Sequence, residues 1–260
     1  MIISVVPRND SYDAPTADAG NLAAVRHPEE YYLTMNAEPI RFVATSSKGE
    51  VGGLLLRPEG VRALLVLAHG AGAGMEHSFM TDAAEALAAR GVATLRYQFP
   101  YSAAGRRAPD PAPVLEATVR SAVAAGAAAA PDLPIFAGGK SMGGRMTSRA
   151  AAAGSRIPVH GIVFFGFPLH AAGKPPGVER AAHLPDVQVP MLFLQGTRDA
   201  LADLELMRAV CGGLPSATLH VVEGADHGFH VPKKSGRTDA QVIEDLAQTV
   251  ADWIWTRSSD

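Results

Sequence analysis

Only one cysteine, Cys211, occurs in the 260 residues, so an intrachain disulfide is excluded. It lies in a stretch, 203–212, that reads as helix, where a lone cysteine behaves as a small buried apolar residue. An excess of charge is also lacking. Twenty-three Lys and Arg oppose 26 Asp and Glu for a formal net charge of −3, which excludes a general attraction to nucleic acid or an anionic membrane. No apolar run reaches the roughly 20 residues of a membrane span; the Ala-rich segment 122–130 reads as helix and is too short. The histidines at 77, 160, 170, 183 and 220 show no H-x-x-x-H spacing and no clustered carboxylates, so no metal is expected. The segment 1–7 has no basic stretch and too short an apolar run for a secretory signal, and a cytoplasmic location is expected.

What is present is a hydrophobic fraction of 47%, ample for one large core. Residues 40–46 and 51–57 alternate around Ser46-Ser47-Lys48-Gly49, which predicts an antiparallel hairpin at a sheet edge. Beyond it, apolar strands at 63–68, 92–96, 135–139, 159–165, 191–195 and 217–222 alternate with helical stretches at 78–90, 111–125, 142–153, 201–211 and 238–256. That order indicates an α/β chain with a mostly parallel sheet covered on both faces, and sites in such sheets lie at the carboxyl ends of the strands. Residues 1–38 show no clear period and read as an N-terminal arm, packed on the domain or partly disordered. This leaves 39–260 as a single domain without a large cap, in which the 167–189 connection could form a small lid but is too short for a separate cap domain. The apolar face of the closing helix, 238–256, either covers the sheet or meets a partner, so a homodimer stays open.

The most specific feature is Gly139-Lys140-Ser141-Met142-Gly143, set between a buried strand and a helix. Small residues at Gly139 and Gly143 let the chain turn sharply without a Cβ clash, holding the Ser141 hydroxyl out at the start of a helix. A neutral hydroxyl is a poor nucleophile and needs a base, and the base needs an orienting acid. Both are expected after later strands, in the order serine, acid, histidine. The chain supplies Asp199 after the 191–195 strand and His227 after the 217–222 strand. Asp199 could also cap the helix near 201–211; Asp203 is a rival acid but reads as lying inside that helix. His230 is the rival base, ranked second because it lies further from the strand end.

The strand at 63–68 runs into His69-Gly70-Ala71-Gly72-Ala73-Gly74. Small residues there can turn backbone N–H groups toward an incoming carbonyl oxygen, so the Met142 and Ala71 N–H groups are the candidate oxyanion donors, with Gly72 the alternative to Ala71. His69 reads as an anchor for this loop. The run lacks the Lys-Ser/Thr of a phosphate loop and the G-x-G-x-x-G spacing, so no nucleotide or other cofactor is expected. Gly70, Gly72, Lys140 and His77 are candidate substrate contacts. Lys140, Arg145, Lys174, Arg106, Arg107 and Arg198 could favour an anionic substrate, or be solvated surface charge.

With these residues in hand, the chain resembles the α/β-hydrolase superfamily, in the branch related to dienelactone hydrolases and to the testis-expressed hydrolase-like proteins. The resemblance covers about 40–256. It is carried by His69 to His77, Arg96-Tyr97-Gln98-Phe99-Pro100-Tyr101, Gly105 to Asp110, Gly138 to Arg145, Gly166-Phe167-Pro168-Leu169-His170, Gln195 to Asp199, and Ala225-Asp226-His227. It implies an α/β-hydrolase fold with a sheet of about eight strands and a triad of Ser141, Asp199 and His227. The chain departs from dienelactone hydrolase proper in holding serine where that enzyme has cysteine. The expected activity is hydrolysis of an ester or thioester, or an amide, in a small-molecule acyl substrate, through an acyl-enzyme. The same acyl-enzyme would serve an acyltransferase, and a hydrolase fold can also act as a non-catalytic binding scaffold.

Overall fold

The five central strands, at Ala63–Ala68, Val92–Tyr97, Ile135–Lys140, Ile162–Phe165 and Met191–Gly196, are almost wholly buried and mostly apolar, and that composition calls for cover on both faces. The computed structural model describes residues 37–154 and 157–257. The described residues all lie within one compact unit, 35–260. Of the arm expected over 1–38, only Ala37 and Glu38 fall among the described residues, and Glu38 already opens a strand.

The elements run β1 (Glu38–Thr45), β2 (Gly49–Leu56), β3 (Ala63–Ala68), α1 (Ser78–Ala88), β4 (Val92–Tyr97), α2 (Pro100–Ala103), α3 (Ala112–Ala129), β5 (Ile135–Lys140), α4 (Met142–Ala152), β6 (Ile162–Phe165), β7 (Met191–Gly196), α5 (Leu204–Gly212), β8 (Ala217–Val222) and α6 (Asp239–Trp255). They build one eight-stranded sheet in the order β1-β2-β4-β3-β5-β6-β7-β8. The β1–β2 and β2–β4 pairs are antiparallel, and every pair from β4 onward is parallel. This is the α/β-hydrolase architecture, with the predicted hairpin at its edge.

Strand alternation divides the core in two. Leu64 and Val66 of β3, Phe164 of β6 and Phe193 of β7 share one cluster with α3, α4 and α5. Leu65, Leu67, Phe165 and Leu192 share the other with α1 and α6. The apolar face of α6, including Val242, Leu246, Val250 and Ile254, is therefore used to cover the sheet.

Several boundaries differ from the sequence expectation. The strand expected over 159–165 is shortened to Ile162–Phe165; just before it Gly161 lies under the Trp253 ring, where a Cβ would sit 2.5 Å from the indole. The 98–111 loop contains the short α2, started by Pro100 at its first turn. Helix α5 begins at Leu204, so Asp203 is not inside it: it is the N-cap, accepting from Glu205 N and Leu206 N. The 167–189 connection forms two 3-10 turns, Glu179–Ala181 and Leu184–Asp186.

Candidate active site

The turn from β5 into α4 holds Ser141 at φ 52°, ψ −114°, a conformation that L-residues rarely adopt. Such a conformation costs about 1–3 kcal/mol and persists only where the surroundings enforce it. Here they do. A Cβ on Gly139 would lie 2.5 Å from the Ala68 carbonyl oxygen and 2.7 Å from Gly144 N; one on Gly143 would lie 2.4 Å from Ala68 O and 2.6 Å from His69 O. The strand end, the first turn of α4 and the end of β3 are thus in backbone contact, and the Ser141 N–H donates to Phe165 O at 3.1 Å to tie the turn to β6.

Parallel strands β7 and β8 bring two later loops to the same end of the sheet. His227 Nε2 lies 2.8 Å from Ser141 Oγ, and His227 Nδ1 lies 2.7 Å from Asp199 Oδ2. A carboxylate can only accept, so Nδ1 carries the proton and Nε2 presents its lone pair to the serine hydroxyl. Asp199 is held on both oxygens: Oδ2 also accepts from Gln195 Nε2 at 2.6 Å, and Oδ1 accepts from Leu201 N at 2.8 Å. Its side chain is fully buried. Burial alone would raise its pKa, but the hydrogen bond and charge of His227, with the donors Leu201 and Gln195, outweigh that and hold it below the usual carboxylate value. Asp199 is not a helix cap, since Asp203 fills that position. His230, the rival base, turns away to Asp239 at 2.7 Å on the exposed side of its loop.

The loop after β3 packs against this turn. A Cβ on Gly70 would lie 3.8 Å from Ser141 Cβ, and Gly72 has φ +73°. His69 anchors the loop as expected. It is buried, accepts from Phe99 N at 3.2 Å through Nε2, and donates from Nδ1 to Gly70 O at 2.8 Å. Ala71 is exposed, and among the described residues its N–H has no backbone acceptor. Met142 opens α4, in the turn whose N–H groups have no intrahelical acceptor. His77 is the N-cap of α1, accepting from Phe79 N at 3.3 Å.

The cations near the site divide by partner. Lys140 Nζ donates to the His227 carbonyl, Arg106 pairs with Asp110 at 2.7 Å, and Arg198 donates to Gly224 O at 3.2 Å. Arg145, half-buried, has a buried Nε without a partner. Lys174 and Arg107 lie on exposed loops. A second serine–histidine contact exists, Ser148 Oγ to His183 Nε2 at 2.8 Å. Ser148 is buried in the middle of α4 and also donates to Arg145 O. Burial, with Arg149 and Arg145 nearby, lowers the His183 pKa to about 4. No carboxylate among the described residues orients its other nitrogen, so this pair lacks the third member that Asp199 provides.

Sequence reasoning passed over Gln195 and the carbonyl bond of Lys140. Gln195 did leave a signal: it is the one polar side chain in the buried strand Met191–Gly196. The Lys140 contact left none, since it depends on a loop 87 residues away. Among the described residues, no group of His, Cys, Asp and Glu is arranged to hold a metal ion, and no helix is long and apolar enough to cross a membrane.

A family described as "Alpha/beta hydrolase domain" matches residues 61–255. No curated protein matches the chain. Among solved structures, the dienelactone hydrolase of Anabaena variabilis is similar with a TM-score of 0.67 at 20% identity, covering 85% of this chain and 99% of that one. A serine hydrolase homologue from Coxiella burnetii gives a TM-score of 0.67 at 21% identity, over 83% of this chain and 98% of that one. The esterase domain of a Rhodothermus marinus protein gives 0.64 at 15% identity, over 86% and 100%. At these identities the likeness is one of fold.

Proposed function

Since the chain belongs to the α/β-hydrolase domain family, we propose that it is a serine hydrolase that cleaves an ester or thioester of a small-molecule acyl substrate, with Ser141, His227 and Asp199 as its triad. What supports this reading above all is the unbroken contact from Ser141 Oγ to His227 Nε2 at 2.8 Å and from His227 Nδ1 to Asp199 Oδ2 at 2.7 Å, built on a serine in a strained turn.

In this mechanism Ser141 Oγ attacks the acyl carbonyl while His227 Nε2 takes its proton. The carbonyl oxygen becomes an oxyanion, received by the Met142 and Ala71 N–H groups. The tetrahedral adduct collapses, the C–O or C–S bond breaks, and His227 returns its proton to the leaving group. Water, deprotonated by His227, then attacks the acyl-serine, and the acid leaves as Ser141 recovers its proton. Asp199 stays ionised, holding the imidazole in one tautomer and stabilising its cation. The name of the esterase domain among the fold neighbours favours ester substrates.

The test is labelling with a fluorophosphonate probe, read by intact mass, with Ser141→Ala beside it. One adduct on the natural chain and none on the variant is the expected result. An unlabelled folded protein would remove the activated serine and turn attention to a binding role; equal labelling of both would remove Ser141.

A further inference from the structure

Strand β5 carries Lys140 to the residue immediately before the nucleophile and sends its side chain toward α1 and the histidine loop. Its ammonium lies 5.6 Å from the centre of the Phe79 ring and 5.3 Å from that of Phe229. These rings stack on one another at 5.7 Å with an interplanar angle of 19°. Gly166, at φ +70°, leaves the room: a Cβ there would lie 3.3 Å from Lys140 Nζ and 3.4 Å from His227 Nδ1. From this position Nζ donates to the backbone carbonyl of His227 itself.

We propose that Lys140 is the positioning residue for the base: its ammonium, bonded to the His227 carbonyl, braces the 226–230 loop against β5 and so keeps His227 Nε2 on Ser141 Oγ. The inference rests on the serine-hydrolase reading above. Two other ties reach outside the loop, His227 Nδ1 to Asp199 and His230 Nδ1 to Asp239; the remaining ones are internal. Asp226 Oδ1 accepts from Gly228 N at 2.8 Å and His230 N at 3.0 Å, Asp226 N donates to His230 O, and Phe229 N donates to Asp226 O. Those bonds shape the loop, and hold Phe229 at φ 67°, but do not set its distance from Ser141. Of the ties to other elements, the Lys140 bond acts on that distance most directly, because the residue that supplies the donor is covalently next to the nucleophile. A charged donor also makes a stronger bond to a carbonyl than a neutral one.

Asp199 and Asp226 face the ammonium from the loops after β7 and β8, and His230 lies within its electrostatic reach. Phe79 of α1 and Gly166 after β6 present no charge. Burial lowers the Lys140 pKa to about 8, against the pull of Asp199 and Asp226. The charged form therefore prevails below pH ~8 and is lost above it, and the brace weakens as pH rises through that value.

The experiment is the rate of fluorophosphonate labelling of Ser141 against pH in the full chain, for the natural protein, Lys140→Arg and Lys140→Met, the last also in a His227→Ala background. Lys140→Met is expected to slow labelling by about 10²-fold, the effect of roughly 1 Å of misplacement. The natural protein loses rate as pH rises through about 8, whereas Lys140→Arg, which stays charged, does not. In the His227→Ala background Lys140→Met costs nothing further. Amide hydrogen exchange over 226–230 quickens in Lys140→Met. An additive loss in the double variant, an alkaline decline shared by Lys140→Arg, or unchanged exchange would each overturn the brace. A natural protein that takes no label would sink the hydrolase reading instead, and the exchange measurement would still judge the brace.

Discussion

Asp199 shows how closely one side chain is specified. Its oxygens accept from His227, Gln195 and Leu201 with no contact to solvent. Replacing it by Asn keeps the volume but places an amide where only an acceptor serves, so the imidazole is driven toward the wrong tautomer. Asp199→Asn should lower the labelling rate of Ser141 by about 10³–10⁴-fold with the fold retained, checked by probe kinetics beside circular dichroism. The same carboxylate carries a stability signature. Its folded pKa lies below the unfolded one, so its contribution is fully present above the ordinary carboxylate value and lost as pH falls through the depressed one. Urea titrations between pH 3 and 6 should therefore show a steeper acid loss in the natural protein than in Asp199→Asn. The sequence order of Ser141, Asp199 and His227 was enough to nominate them, since each follows a recognisable strand end. Sequence position ranked His227 above His230 because it lies nearer the strand end; in the fold, their loop points one at Ser141 and the other at Asp239.

The β5–α4 turn depends on glycine for contact more than for flexibility. Gly143→Ala would push a methyl to 2.4 Å from Ala68 O, against backbone that cannot swing aside. We expect a loss of about 3 kcal/mol in chemical denaturation, at the upper end for overpacking, with labelling lost as well. The edge hairpin is tied down differently. Lys48 in the β1–β2 turn and Arg106 after α2 both reach Asp110 Oδ1, at 3.0 and 2.7 Å, and the Asp110 side chain is 2% exposed. Burial raises the Asp110 pKa, but bonds from Arg106 and Lys48 outweigh it and the net shift is downward. Asp110→Asn should cost about 1.5–3 kcal/mol at neutral pH, and the difference should shrink as acid protonates the natural carboxylate, read from urea midpoints at two pH values. The strands and helices themselves were legible because buried apolar runs and capping glycines and prolines are local signals. The short α2 and the late start of the strand expected over 159–165 were not; beside that start Gly161 packs under Trp253, 92 residues further along the chain.

Both faces of the sheet are closed, one by α3, α4 and α5 and the other by α1 and α6. Cys211 sits in the first of these layers, buried, with its thiol pKa pushed up to about 11 by that burial. A disulfide reagent should leave it untouched in the native protein and react stoichiometrically once denaturant passes the unfolding midpoint; prompt reaction without denaturant would contradict its place in the core. From the linear chain alone one can obtain the fold class, the edge hairpin, the serine turn and the order of its partners, because hydrophobic period, turn residues and strand-end positions are written in neighbouring residues. The three-dimensional packing decided the rest: which cations are engaged, that Gln195 bonds Asp199 and that Lys140 bonds the His227 carbonyl. Those contacts span up to 87 residues, and sheet order and loop direction, which no local pattern encodes, bring them within hydrogen-bonding distance.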